Sequence, residues 1–365
     1  MITAVTVIGD IIRPRGNGQP GEVDRMTRWL AEAIRPGVRL AAGLPVETIA
    51  TDETDGLGVW IRSLRPDPRA DAFWAAHYAG LAASAALERI VLSRLRGRFC
   101  VAWELPFWLR HLLDERRVPY LDIRLHPVRF LDDLIFAVRA ADPATQAALD
   151  FFAMPEAEIH VTAGLRIAMG RYISEARIPD DTLLVAGQRR FDSTQIHAGT
   201  FWDAAPHTEA IHAICARHAA AALKPHPLDP GHSLLTVAAA SGRVLGVIRD
   251  NVYRMMALPQ VSAVLTVNSG VAVEAAYFGK RVHTLLPLPV APAWRGDAAR
   301  PEAHVSIGDA VLAPDFWRTV LPPHAPVSAT DGVRLPPKPN RLRIALDSFW
   351  NFQEIDTDRI PRPPV

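Results

Sequence analysis

The chain has 365 residues, 49% of them apolar and 22% charged, with a formal net charge of +1. That length predicts two domains, and the near-neutral charge excludes a nucleic-acid binder working through a whole-chain basic field. Charged side chains interrupt every apolar stretch before the ~18 residues that a membrane span needs.

The start, MITAVTVIGD, has neither the basic opening nor the apolar core of a signal peptide, so a first strand is expected; two cysteines without metal-ligand spacing lead to the expectation of a cytoplasmic protein. Short runs rich in Val, Ile and Leu then alternate with helix-period segments, the pattern of a doubly wound α/β sheet. Residues 3–8 predict a strand and 22–34 a helix, with Met26, Trp29, Leu30 and Ala33 on one stripe. Residues 99–103 predict a strand, 106–115 a helix, 120–125 a strand and 130–140 a helix opening with Asp132 and Asp133. A second set follows. It predicts strands at 182–186, 222–223, 244–248, 261–267 and 282–286, and helices at 207–221, 251–257 and 271–278. Proline recurs from Pro287 to Pro339, which predicts an ordered, irregular crossover, and residues 341–352 resume helix periodicity. The expected architecture is α/β, two Rossmann-like domains facing a cleft: residues 1–165, residues 166–310, and 311–365 crossing over to pack a C-terminal helix on the first. Cys100 and Cys215 are expected as reduced, buried thiols.

Gly16-Asn17-Gly18-Gln19-Pro20-Gly21 has the spacing of a dinucleotide fingerprint. Its first glycine does not close the strand, and Pro20 removes an N–H, so a glycine loop lining the cleft is the better reading. Glu104 follows the strand at 99–103 beside Trp103, Phe107 and Trp108, where burial can raise a carboxyl pKa for acid or base work. A helix-start carboxylate answering the macrodipole is the equal alternative. Arg124, His126 and Arg129 follow the next strand and could hold an anion. Asp132 and Asp133 are expected to start a helix rather than bind metal.

Gly187-Gln188-Arg189-Arg190-Phe191-Asp192-Ser193-Thr194 follows the strand at 182–186. Asp192 is a candidate nucleophile, against the plainer role of helix cap, and Arg189 or Arg190 a candidate partner for a carboxylate or phosphate. In Lys224-Pro225-His226-Pro227 two prolines stiffen the chain around His226, which suits phosphate contact or proton transfer. The histidines at 197, 207, 212, 218 and 232 are expected to be structural, and they lack zinc-like spacing with the cysteines. Asn268-Ser269-Gly270 opens the helix at 271. Ser269 could cap it or donate to a phosphate, Gly270 permits close backbone approach, and Glu274, one turn in, could take ribose hydroxyls.

Gly187-Gln188 with Asp192, Lys224-Pro225-His226-Pro227, and Val267-Asn268-Ser269-Gly270 with Glu274-Ala275 and Gly279-Lys280-Arg281-Val282 resemble the bacterial capsule and O-antigen β-Kdo glycosyltransferases. Glu104-Leu105-Pro106 and residues 126–133 are weaker matches. The resemblance implies a GT-B-like pair of Rossmann domains, with the acceptor on the first and the CMP-sugar on the second. It implies retaining transfer of Kdo from CMP-Kdo to a saccharide or lipid-linked saccharide, with no metal or other cofactor. Carried over, Asp192 is the nucleophile, Glu104 the acid/base and His226 a contact to donor phosphate or sugar. Ser269 and Gly270 meet the CMP phosphate and Glu274 the ribose. Gln188, Arg189, Lys224 and Asn268 complete the donor side, and Arg124, His126 and Arg129 the acceptor side. Gly270-Val271 departs from the pattern, where many relatives carry a second small hydroxyl residue. A donor carrying another CMP-nonulosonate or a UDP- or GDP-linked sugar, a GT-B-shaped nucleotide-sugar 2-epimerase, and a non-catalytic saccharide-binding subunit stand as competing readings. Lys338, Arg341 and Arg343, with Trp350 beyond, leave open either a solvated helix end or a weak peripheral contact with an anionic membrane.

Overall fold

The computed structural model describes residues 2–14, 22–50, 70–78, 80, 85–173, 178–290, 304–329 and 341–346. The glycine pattern at 16–21, Lys338 and Trp350 lie outside them. The first sheet is formed by β1 (Ala4–Ile8), β2 (Val46–Ile49), β3 (Arg98–Trp103), β4 (Tyr120–Leu125) and β5 (Phe136–Ala140), joined by the late strand β13 (Val305–Ile307). Its order is β2-β1-β3-β4-β5-β13. It is parallel from β2 to β4, while β5 and β13 add antiparallel pairs. A parallel sheet must be covered on both faces, and β3 shows how the sequence meets this. Phe99, Val101 and Trp103 enter a core with helices Glu22–Ala42 and Pro314–Val320. Cys100 and Ala102 enter another with helices Ala70–Tyr78, Ala85–Leu95 and Phe107–Glu115.

The second sheet contains β6 (Thr182–Ala186), β9 (Ala220–Lys224), β10 (Val244–Val247), β11 (Val261–Thr266) and β12 (Arg281–Thr284); β7 (Ile196–His197) and β8 (Thr200–Phe201) form a small hairpin beside it. All five strands are parallel in the order β10-β9-β6-β11-β12. The winding reverses between β6 and β11, the position where open α/β sheets leave a crevice at their carboxyl ends. The two loops leaving that point carry Gln188 to Asp192 and Asn268 to Gly270.

Several elements differ from expectation. Residues 130–140 do not form a helix: Phe130, Leu131, Leu134 and Ile135 are all buried, and the chain enters β5 at Phe136. Asp132 is exposed, but the run from Leu134 to Ala140 is buried without a break and leaves a helix no exposed face. Asp133 does meet a helix start, but that of Arg341–Leu346, accepting the Leu342 and Arg343 N–H groups at 2.9 Å each. Arg343, read as a candidate surface cation, is fully buried. Helix Glu156–Ile173 crosses the expected boundary at 165, and β13 returns to the first sheet before residue 310. The region after Pro287 is also less irregular than expected, with β13 and helix Pro314–Val320. Cys100 and Cys215 are free and buried. Among the described residues no helix is long and apolar enough to cross a membrane.

Candidate functional site

The loop after β6 is held by a chain of amides. The Gln188 carboxamide accepts from the Asn268 backbone N–H at 3.1 Å and from Thr266 Oγ1 at 3.2 Å, and donates to Asn268 Oδ1 at 3.0 Å. Gln195 Nε2 donates to the same oxygen at 3.1 Å, and Asn268 Nδ2 donates to the Thr194 carbonyl at 2.7 Å. His232 Nδ1 accepts the Leu234 N–H, which leaves its Nε2–H to donate to Gln195 Oε1 at 3.1 Å. Buried amides satisfied in this way fix a loop rigidly. On that loop Asp192 is half-buried and caps the short helix Ser193–Gln195, its Oδ1 accepting the Thr194 N–H at 3.0 Å. The plainer role of cap is therefore real, and Asp192 also faces the cavity. His226 follows β9, and its Nδ1 accepts the Leu228 N–H at 3.2 Å. Burial and then Arg189 push its pKa below the ordinary imidazole value.

On the first sheet, Glu104 leaves β3 with φ of 51°, the left-handed region that a residue with a Cβ enters only at a cost. The next N–H, of Leu105, donates to Asp122 Oδ1 at 3.0 Å. Burial opposes ionisation of Asp122, but Arg124, His304 and Arg139 around it hold its carboxyl well below the usual range. His126 is buried away from the cavity. Its Nδ1 accepts the Val128 N–H at 3.1 Å and its Nε2–H donates to Ser306 Oγ at 3.2 Å; burial, then Arg129 and His304, push its pKa down to about 3.

Two contacts bring the sheets' loops together. A Cβ added to Gly270 would lie 3.0 Å from Pro127 Cβ, so the close approach expected at Gly270 is that of the first sheet's loop. Beside it Glu274 Oε1 accepts the Arg129 backbone N–H and the Tyr253 hydroxyl, both at 2.7 Å. Burial raises the Glu274 carboxyl to about 7 against these bonds and the nearby Arg129. Glu274 thus ties the two halves from beneath and does not line the cavity. On the other flank Phe201 of the hairpin meets Trp74 at 5.5 Å between ring centroids.

Between these contacts lies a cavity of about 720 Å³. The structure brings Glu104, Arg124, Arg129, Gln188, Arg189, Asp192, His226, Asn268, Ser269 and Gly270 onto its walls, and leaves His126, Lys224 and Glu274 off them. Lys224 Nζ donates instead to the Arg249 carbonyl at 3.4 Å. Among the described lining residues, five arginines (110, 124, 129, 139 and 189) face three carboxylates, Glu104, Asp122 and Asp192. Arg110 also reaches Asp114 outside the lining at 3.7 Å. No ion pair engages the Arg129 side chain among the described residues. The cavity can therefore take an anionic ligand while presenting a carboxylate from each sheet. Sequence reasoning missed Tyr78, Asp122, Arg139 and His304 on these walls. A lone charge in the apolar run of β5 was the available signal for Arg139; His304 gave none.

No family model and no curated protein matches the chain. Solved structures similar to it include Thermosulfurimonas dismutans KpsC, β-Kdo 2,7 transferase (16% identity, TM-score 0.34, covering 66% of this chain and 81% of that one). Another is UDP-GlcNAc 2-epimerase from Neisseria meningitidis bound to UDP-GlcNAc (8% identity, TM-score 0.33, 87% and 93%). A third is Thermosulfurimonas dismutans KpsC, β-Kdo 2,4 transferase (13% identity, TM-score 0.35, 77% and 79%). Likenesses of this size carry no argument about activity, which rests on the cavity.

Proposed function

We propose that the chain is a GT-B-like retaining glycosyltransferase that moves Kdo from CMP-β-Kdo to a saccharide or lipid-linked saccharide. The observation that carries this reading is that Asp192 and Glu104, from loops of different sheets, share the walls of one arginine-rich cavity. In the first step an Asp192 carboxylate oxygen bonds to the anomeric carbon as the bond from that carbon to the CMP phosphate breaks. CMP leaves with the electron pair, its charge met by Arg189 and the backbone at Ser269 and Gly270. In the second, Glu104 takes the proton of the acceptor hydroxyl, whose oxygen displaces Asp192. Two inversions give retention, and neither step requires a metal or other cofactor. The resemblance of the Lys224–Pro227 and Asn268–Gly270 motifs supports CMP-Kdo as the donor.

The test is incubation with CMP-Kdo and a panel of labelled saccharide acceptors. Release of CMP together with a β-linked Kdo product is expected. Inertness toward CMP-Kdo alongside interconversion of a UDP-sugar in the absence of acceptor would overturn the reading.

A further inference from the structure

The first sheet's wall holds a second group of cations for which the proposed transfer has no use. Asp122 and Arg139 are register partners on β4 and β5. Arg124 lies two residues beyond Asp122, on the same face of its strand. Arg124 Nη2 donates to Asp122 Oδ2 at 2.9 Å and to Oδ1 at 3.3 Å, while Arg139 Nη2 lies 3.7 Å and His304 Nε2 3.4 Å from Oδ2. All four side chains line the cavity. The Arg139 side chain is 6% exposed and that of Asp122 2%, and the Nε atoms of both arginines are buried with no hydrogen-bond partner. Neither arginine pairs with another carboxylate among the described residues. Two guanidinium groups thus share one ion-paired carboxylate in a poorly solvated wall, with Glu104 acting on Arg124 from further off, and a ligand anion would add to that balance. Planar guanidinium forks match a carboxylate or a phosphate in both charge and shape.

We infer that Arg124 and Arg139, held on Asp122, form an anion subsite for a carboxylate or phosphate group of the acceptor. That the occupant is the acceptor rests on the transferase reading above; the anion subsite itself does not. Position favours the acceptor over the donor. Asp122 Oδ1 takes the N–H of Leu105, the residue after Glu104, so the subsite and the base that would serve the acceptor hydroxyl share one support. The donor motifs leave the other sheet.

Calorimetric titration tests this with four probes: methyl glucuronoside, its uncharged methyl ester, glycerol 3-phosphate and CMP. Saturable binding of one or both acids, with the ester inert, is expected; the tighter acid identifies the source of the anion. Arg139→Gln should weaken that acid about tenfold or more, the scale of a lost charged hydrogen bond, and leave CMP affinity within about twofold. Arg189→Gln should do the reverse. Ester and acid binding alike, or neither acid binding, overturns the subsite, and the wild-type comparison decides this even if the variants do not fold. Equal weakening of acid and CMP by Arg139→Gln also overturns it, since one site would then serve both. An Arg139-dependent acid site with no CMP binding keeps the subsite and removes the nucleotide reading.

Discussion

Asp192 and Glu104 are asked for different work, and single-atom changes separate them. Asp192→Asn keeps the cap to Thr194 available but cannot form the glycosyl ester, so turnover should fall by about a thousandfold or more while CMP binding persists. Intact-protein mass spectrometry with CMP-Kdo should show an adduct on Glu104→Gln and none on Asp192→Asn. Glu104→Gly tests the backbone: releasing a left-handed φ should leave the unfolding free energy in urea melts at or above wild type, by up to ~1 kcal/mol, while transfer is lost. Glu274 is ionised near 4.5 in the unfolded chain and near 7 in the folded one, so its contribution is present below pH 4.5 and lost as pH rises through about 7. Glu274→Gln still accepts from Arg129 and Tyr253 but cannot ionise. Its stability relative to wild type, from urea melts, should climb across that window by on the order of a few kcal/mol. Asp192, Glu104, His226 and Gly270 were legible because each lies in a short polar, proline or glycine stretch within a few residues after a strand. Asp122, Arg139 and His304 were not, because they meet through strand register and a contact 182 residues long, neither of which leaves a local pattern.

At the scale of elements, strands were readable where burial on both faces leaves a short, nearly unbroken apolar run, as in β3, β6 and β11. Helix Glu156–Ile173 was not, because it exposes Val161, Leu165 and Met169 while burying Ile159 and Ala163, so its apolar residues do not form one stripe. Its packing turns on Gly170, where an added Cβ would lie 2.6 Å from Ala257 Cβ of helix Val252–Ala257. Helix propensity alone favours alanine over glycine by ~1 kcal/mol. Gly170→Ala should nevertheless destabilise the protein by roughly 1–3 kcal/mol in chemical denaturation, the usual cost of overpacking.

For the whole molecule, sequence periodicity led to a C-terminal helix expected on the first domain but gave no sign of how Arg343 fastens it. The Arg343 guanidinium donates to the carbonyls of Arg129, Leu131 and Asp132 at 2.6, 2.8 and 3.1 Å, fastening the loop that carries Arg129 to the cavity. Arg343→Met would fill much of the same volume but leave those carbonyls without this donor. A loss of roughly 2–4 kcal/mol is expected in urea melts.

The same anchor has a consequence in time. A ribosome making this chain completes the strand segments through β5 while Arg343 is still more than 200 residues from being added. Long-range closures of this kind come late in folding. The nascent protein therefore carries both halves of its cavity before it can hold Arg129 in place, and a chain released before residue 343 would keep most of its core yet lack a finished site.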